Sequence, residues 1–371
     1  MQYDPSRFLT KPILNEYDKA FLKDLSSRYP TSRLKKETRN YEEARIDFVY
    51  TSAKIEGNAY TRADTDTLIK HGRTAGGKSW HDAMMILNIR EAFDIAMNAT
   101  PEQAIDIDFI SDLHKILMTK LLPSNEQGLV RNKALQIGGS DYKPLSDPYR
   151  LRTEMKVLVS NAEKYTDPFE KAIYLHCNLA YLQYFADGNK RTARMMQTCA
   201  LAQADTLPMF FKDYMIDEYV NATVHYYETG DYNKYVNHFK EVYKISVIEF
   251  SGESLEAGDQ DKVRFTKLTK LLMLKSQDNE NKEVISSLRD FYTSESNNGA
   301  YKPNWMDINR MTYIRHVIEK GENPEGVINI IIKHSPGIIS DQEAEGFKDD
   351  ARIISRKPLG KKRDPDDEFS L

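Results

Sequence analysis

Twelve consecutive residues, Gln183-Tyr184-Phe185-Ala186-Asp187-Gly188-Asn189-Lys190-Arg191-Thr192-Ala193-Arg194, carry the types and spacing that could do chemistry. One helix ends there, a polar turn containing Gly188 follows, and a second helix begins at about Asn189. The first N–H groups of a helix have no internal acceptor and sit at the positive end of its dipole. They form a ready anion site. Lys190, Arg191 and Arg194 crowd the same end. Basic residues are disfavoured there unless an anion or a carboxylate satisfies them. Arg191 and Arg194, three apart, share a face. Asp187 is a hard oxygen ligand just ahead of the turn, where a phosphate-bound Mg²⁺ would sit. Taken alone, the segment also fits a capped helix in which Asp187 and Asn189 do local turn work.

The segment resembles the signature of the Fic family, His-x-Phe-x-Asp/Glu-Gly-Asn-Gly-Arg-x-x-Arg. Phe185, Asp187, Gly188, Asn189, Arg191 and Arg194 match it; Gln183 stands where the family has His, and Lys190 where it has the second Gly. Two more stretches are similar to family features. Ser52-Ala53-Lys54-Ile55-Glu56-Gly57 resembles the Ser/Thr-x-x-x-Glu-Gly/Asn inhibitory helix, and Gly128 and Arg131 through Ile137, Tyr142 and Pro144 resemble the flap before the active helix. Together they span roughly Arg45 to Lys240.

The resemblance implies a substrate, ATP, with Mg²⁺ held by Asp187. It implies that Gly188 and Asn189 present N–H groups to the phosphates, that Arg191 neutralises the β-phosphate and that Arg194 grips the γ-phosphate. Glu56, with Ser52 and Gly57 in register, would pair bidentately with Arg194 and hold ATP in an unproductive pose. Ile137 and Tyr142 are flap candidates for contact with a target protein (the chain itself included), and both also suit packing. The implied activity is AMP transfer to a Ser, Thr or Tyr hydroxyl, autoinhibited by Glu56. Gln183 sits at the position of the proton-accepting His, and an amide has no useful basicity near neutral pH. His176, two helical turns upstream, is too far along the axis to substitute. Three alternatives stand beside this reading. Lys190 suggests phosphotransfer, because Doc-type relatives carry Asn-Lys-Arg here, although they lack the second Arg that this chain keeps. Gln183 suggests a nucleotide-binding regulator without turnover. Glu56 positioning a water suggests removal of AMP.

These residues need elements to position them, and apolar residues at helical spacing supply them. Helices are expected over 14–27, 38–52, 63–71, 81–96, 106–121, 150–165, 169–184, 190 past 204, 218–229 and 232–250. Gly57 is suited to close the second by turning left-handed. Between Pro123 and Pro148 the glycines and prolines break helix, and 134–137 with 141–142 is expected to pair as a short hairpin. The fold class is therefore mainly α: a Fic-type helical domain with a small β-hairpin flap, followed by a helical C-terminal region. The expected organisation is an N-terminal helical region over 1–100 with the inhibitory helix at about 38–57, a core domain over 101–250, C-terminal helices within 259–355 (263–277, 282–291, 309–320 and 325–333) and a solvated tail over 356–371. The C-terminal helices suit a partner-binding module or a homodimer contact.

Composition bounds the function class. With 371 residues, 40% hydrophobic and 29% charged, and a formal net charge of −4, the chain lacks the concentrated positive field that nucleic acid demands. Cys177 and Cys199 sit in apolar helical stretches without metal spacing and read as buried free thiols. The N-terminus has no basic region followed by an apolar core, and no apolar run approaches the ~20 residues that span a bilayer. A cytoplasmic location without membrane contact is expected.

Overall fold

Six of the α-helices begin on a side chain that accepts a backbone N–H, and this punctuation divides the chain into rods. In order the α-helices are α1 (Glu16–Arg28), α2 (Thr31–Lys36), α3 (Thr38–Ile55), α4 (Arg62–His71), α5 (Trp80–Met97), α6 (Ile107–Leu117), α7 (Pro148–Ala162), α8 (Pro168–Leu182), α9 (Asn189–Gln203), α10 (Ile216–Thr229) and α11 (Asn233–Ser251). Asn15, Thr61, Ser79, Asp106, Asp147 and Asp167 are the accepting caps, each removing at least one of the four orphan donors of a helix start. The computed structural model describes residues 2–253. The helices expected over 263–277, 282–291, 309–320 and 325–333, and the tail over 356–371, lie outside the described residues.

Helices α8 and α9 form the central pair. Every residue of α8 from Ala172 to Leu182 is buried, as is every residue of α9 from Arg191 to Ala202. A helix buried on all sides belongs in a core. Helix α5 packs on α9, α3 packs on α5, and α10 and α11 pack on each other. Phe48 of α3 meets Phe93 of α5 with ring centroids 4.7 Å apart. That contact, with Phe210 and Phe211 beside it, holds α3 against α5 and the segment that follows α9. Cys177 and Cys199 are free and buried; burial pushes the Cys199 thiol up to about 12, which leaves it unreactive.

Helix α3 ends as its glycine requires. Glu56 is the C-cap, and Gly57, at φ +82°, donates its N–H to the Lys54 carbonyl at 3.0 Å while Asn58 donates to Ala53 at 3.1 Å. This is the left-handed closure that a residue without Cβ takes most readily. The first two expected helices also differ slightly from the rods found. The chain turns at Pro30 into the six-residue α2 before α3 starts.

The expected hairpin is not formed. No strand ladder runs through 134–142, and the sole β-bridge among the described residues joins Gln2 to Lys143 in parallel. Ala134, Gln136 and Asp141 are exposed while Leu135 and Ile137 are half-buried, and an isolated two-stranded ribbon is marginal in water. Arg131 fixes the segment instead. It is 3% exposed. Its Nε donates to the Gln183 carbonyl and its Nη1 to the Lys133 carbonyl, both at 2.6 Å, while Nη2 donates to the Leu145 carbonyl.

Tyr142 is buried; its ring stacks on Tyr181 at 4.4 Å and its hydroxyl donates to the Tyr181 carbonyl at 3.0 Å. Ile137 is half-buried. Tyr142→Phe is expected to lower stability by about 1 kcal/mol, the usual loss for one buried hydrogen bond, measured by urea unfolding. An unchanged midpoint would show that this hydroxyl does no structural work.

Candidate functional site

The turn between α8 and α9 is fixed from several directions. Gln183, the C-cap of α8, is left-handed at φ +50°, ψ +52°. Its amide is engaged at both ends: Nε2 donates to the Ala180 carbonyl at 2.7 Å, and Oε1 accepts from Asn189 Nδ2 at 3.2 Å. Asn189 also clips the turn shut, accepting the Phe185 N–H and donating to the Phe185 carbonyl, each at 2.9 Å. Gly188 is at φ +75°, and a Cβ added there would lie 2.6 Å from Met118 Sδ. The left-handed backbone favours glycine there, and a Cβ would also oblige the flexible Met118 side chain to shift.

A residue missed in the sequence completes the scaffold. His114 of α6 is fully buried and stacks on Phe185, ring centroids 3.7 Å apart and 7° from parallel. Its Nδ1 accepts the Gly128 N–H at 2.8 Å, which leaves Nε2 as the protonated nitrogen donating to the Asp187 carbonyl at 2.9 Å. Burial holds its pKa down to about 4, so the ring is neutral at pH 7. Its only sequence signal was a histidine on the apolar face of an amphipathic helix.

Helix α9 brings no anion of its own. Its N-cap is Gly188, with no side-chain cap and no acidic residue in the first turn. Two carboxylates come from outside it. Asp187, 58% exposed at the side chain, accepts from Gly188 N–H at 2.6 Å through Oδ1 and from Arg191 Nη2 at 2.9 Å through Oδ2. Glu56 arrives from the end of α3. Its Oε1 accepts from Arg194 Nη2 at 2.9 Å, and its Oε2 lies 4.0 Å from Lys190 Nζ.

Arg194 is fully buried. Its Nε donates to Ser52 Oγ at 2.9 Å, Nη2 also reaches the Ser52 carbonyl at 3.2 Å, and Nη1 donates to the Tyr219 hydroxyl at 3.3 Å. The expected bidentate pair with Glu56 is thus a single hydrogen bond, because Ser52 and Tyr219 take the other donors. The Glu56 side chain is 13% exposed. Burial pushes its carboxyl up, but Arg194, Lys190 and Arg191 together outweigh that and hold it below the ordinary range.

Arg191, 3% exposed, is only partly satisfied. Nη2 meets Asp187, while Nε and Nη1 are buried without a hydrogen-bond partner. Buried orphan donors on a cation are costly and fit an anion that binds there. A cleft of about 170 Å³ is lined by Gln183, residues 186–190, Leu135, Gln136 and Glu56. Neither Arg191 nor Arg194 lines it. His176 lies in the core, donating to or accepting from Tyr219 at 3.0 Å, and does not line the cleft either. Among the described residues no group of three or more His, Cys, Asp or Glu could hold a metal. Asp187 alone would offer one ligand to Mg²⁺, with waters and phosphate oxygens completing the shell. Among the same residues, no helix is long and apolar enough to cross a membrane.

Of the residues singled out in the sequence, Ser52, Glu56, Asp187, Gly188, Asn189, Lys190, Arg191, Arg194 and Gln183 gather around this turn. Tyr142 faces the core instead, and Gly57 acts through the backbone that aims Glu56.

Residues 104–201 match the Fic/DOC family. Among named relatives, the protein adenylyltransferase fic-1 of Caenorhabditis elegans is 24% identical over 276 residues, covering 70% of this chain and 54% of the relative. The protein adenylyltransferase Fic of Nematostella vectensis is 30% identical over 199 residues, covering 50% and 45%. The chain spans about half the length of these curated relatives. Two solved structures share the fold. A Fic family protein from Desulfovibrio desulfuricans superposes with a TM-score of 0.55 at 18% identity, over 69% of this chain and 81% of that one. Residues 134–508 of C. elegans Fic-1 superpose with a TM-score of 0.53 at 20% identity, over 64% and 72%.

The scaffold histidine makes stability pH-dependent. An unfolded histidine takes up a proton near 6.5, whereas folded His114 resists until about 4, and burial likewise holds His176 well below its ordinary value. Stability is therefore lost as pH falls from 6.5 towards 4, by up to about 1.4 kcal/mol per pH unit for each ring. Chemical denaturation of the wild type and His114→Asn across this range should show the variant with the shallower slope.

Proposed function

Residues 104–201 being a Fic/DOC domain, we propose that the chain binds ATP at the start of α9 and is a protein adenylyltransferase held off by Glu56. The observation that carries this reading is the buried Glu56–Arg194 contact at 2.9 Å, beside an Arg191 with two orphaned buried donors. Those donors suit the β-phosphate. Gly188 and Asn189 offer the helix-start N–H groups, and Lys190 adds an ammonium. Asp187 would hold Mg²⁺, which supplies charge neutralisation on the phosphates when bound.

In the transfer, a target hydroxyl oxygen bonds to the α-phosphorus, the bond from that phosphorus to pyrophosphate breaks, and the hydroxyl proton passes to water. Positioning and charge neutralisation are most of what such a reaction asks of a protein. Arg194 contributes only after Glu56 withdraws, because its donors are occupied and its guanidinium is shut away from solvent. Glu56 is thereby an inhibitory residue, and Ser52 shares the hold. Leu135, Gln136 and Ile137 of the flap segment are the candidates for lining the approach of the target.

Gln183 weakens the chemistry. Its amide cannot take the proton, and both its ends are tied to protein groups. A positioned general base is worth about 10²–10⁴-fold. The same observation favours a second reading, a nucleotide-binding regulator that does not turn over.

Incubation with ATP labelled separately at the α and γ positions separates the readings. Glu56→Gly with Gln183→His is expected to label protein from the α position about 10²-fold or more above the parent chain. Label from γ alone would mean phosphotransfer. Binding without any transfer in the double variant would leave the regulator, and no binding would end the nucleotide reading.

A further inference from the structure

Lys190 and Arg194 are four residues apart on α9, so they sit one above the other on a single face. Two cations stacked at the positive end of a helix repel each other and the dipole. One carboxylate relieves both. Glu56 offers Oε1 to Arg194 at 2.9 Å and its other oxygen, Oε2, to Lys190 at 4.0 Å. The two partners differ in reach. Arg194 is fully buried and also held by Ser52 and Tyr219, whereas the Lys190 side chain is 37% exposed and is carried on the cleft wall with Asp187 and Asn189. A long, hydrated side chain with three rotatable donors can change partner without moving the backbone.

We propose that Lys190 is an exchange contact: it steadies Glu56 in the nucleotide-free chain and passes to a phosphate oxygen when Glu56 withdraws. This rests on the nucleotide reading above and makes the contribution of Lys190 depend on Glu56. While Glu56 is present, Lys190 gives up one contact to gain another, so its net effect on nucleotide affinity is small. Once Glu56 is gone, the same ammonium favours the nucleotide outright. A simple phosphate ligand would favour it equally in both backgrounds. The contact with Glu56 is at the distance limit of an ion pair and partly exposed, so each contact is modest, about two- to fivefold in affinity.

Calorimetric titration of ATP with Mg²⁺ into four chains tests this: the parent, Lys190→Met, Glu56→Gly and the double variant. Lys190→Met is expected to leave binding within about twofold of the parent with Glu56 present, and to weaken it about two- to fivefold in the Glu56→Gly background. Lys190→Arg should keep the parent's behaviour in both. Equal weakening by Lys190→Met in both backgrounds overturns the exchange, as does unchanged or tighter binding without Glu56. Failure of the Glu56→Gly chain, with Lys190 intact, to bind ATP overturns the nucleotide reading instead. Equal thermal midpoints for parent and Lys190→Met, within a degree or two, would exclude misfolding as the cause.

Discussion

A guanidinium with no access to water must find its partners inside the protein, and Arg194 is such a group. Removing a charge from water costs several kcal/mol unless geometry and hydrogen bonds offset it. Here the offset comes from two elements. Helix α3 supplies the Ser52 hydroxyl, the Ser52 carbonyl and the Glu56 carboxylate, and α10 supplies the Tyr219 hydroxyl. Much of the packing follows from this need. The end of α3 has to stop beside α9, which Gly57 arranges locally and the Phe48–Phe93 contact, through α5, arranges at a distance. Any ligand that displaces Glu56 must bring negative charge of its own, since the cation it uncovers is held in place by Ser52 and Tyr219.

The turn in front of α9 obeys a different constraint. Its backbone groups are tied by side chains that the fold already holds: Asn189 to Phe185, His114 to Asp187, Arg131 to Gln183 and to the flap segment. Donors fixed before a ligand arrives need no reorganisation when it does. The neutral tautomer of His114 matters to this, because a charged ring beside Arg191 would add repulsion where an anion site is wanted. The two arginines thus differ in kind. Arg194 is satisfied and sealed, while Arg191 keeps two donors without protein partners.

Much of this was legible in the residues. Helical periodicity gave the rods from α3 to α11 to within a few positions, and the Asp187-Gly188-Asn189 turn with Arg191 and Arg194 pointed to an anion site. What was missed depends on contacts between residues far apart in the chain. Pro30 and the short Lys-rich stretch after it hid α2, because six residues are too few to show a period. The hairpin expected from 134–137 and 141–142 gives way to Arg131, whose three bonds to carbonyls on both sides hold the segment without a ladder. His114 lies 73 residues from Asp187, a separation no local pattern reports. Lys190 was assigned to phosphate from its ammonium; its fourfold spacing from Arg194 already placed both on one face, but the carboxylate between them comes from position 56.

The clip between Asn189 and Phe185 carries a consequence for how this site can diverge. Both hydrogen bonds run between the same two residues, so the count of residues from one to the other is frozen: an insertion or deletion in the turn would break both at once and carry Gly188 off Met118. Variation is confined to exchanging letters at fixed length, and chiefly at positions whose side chains border the cleft without holding the turn, such as Ala186 and Lys190. In a lineage of such chains, chemistry would drift by substitution along a backbone that keeps its ruler.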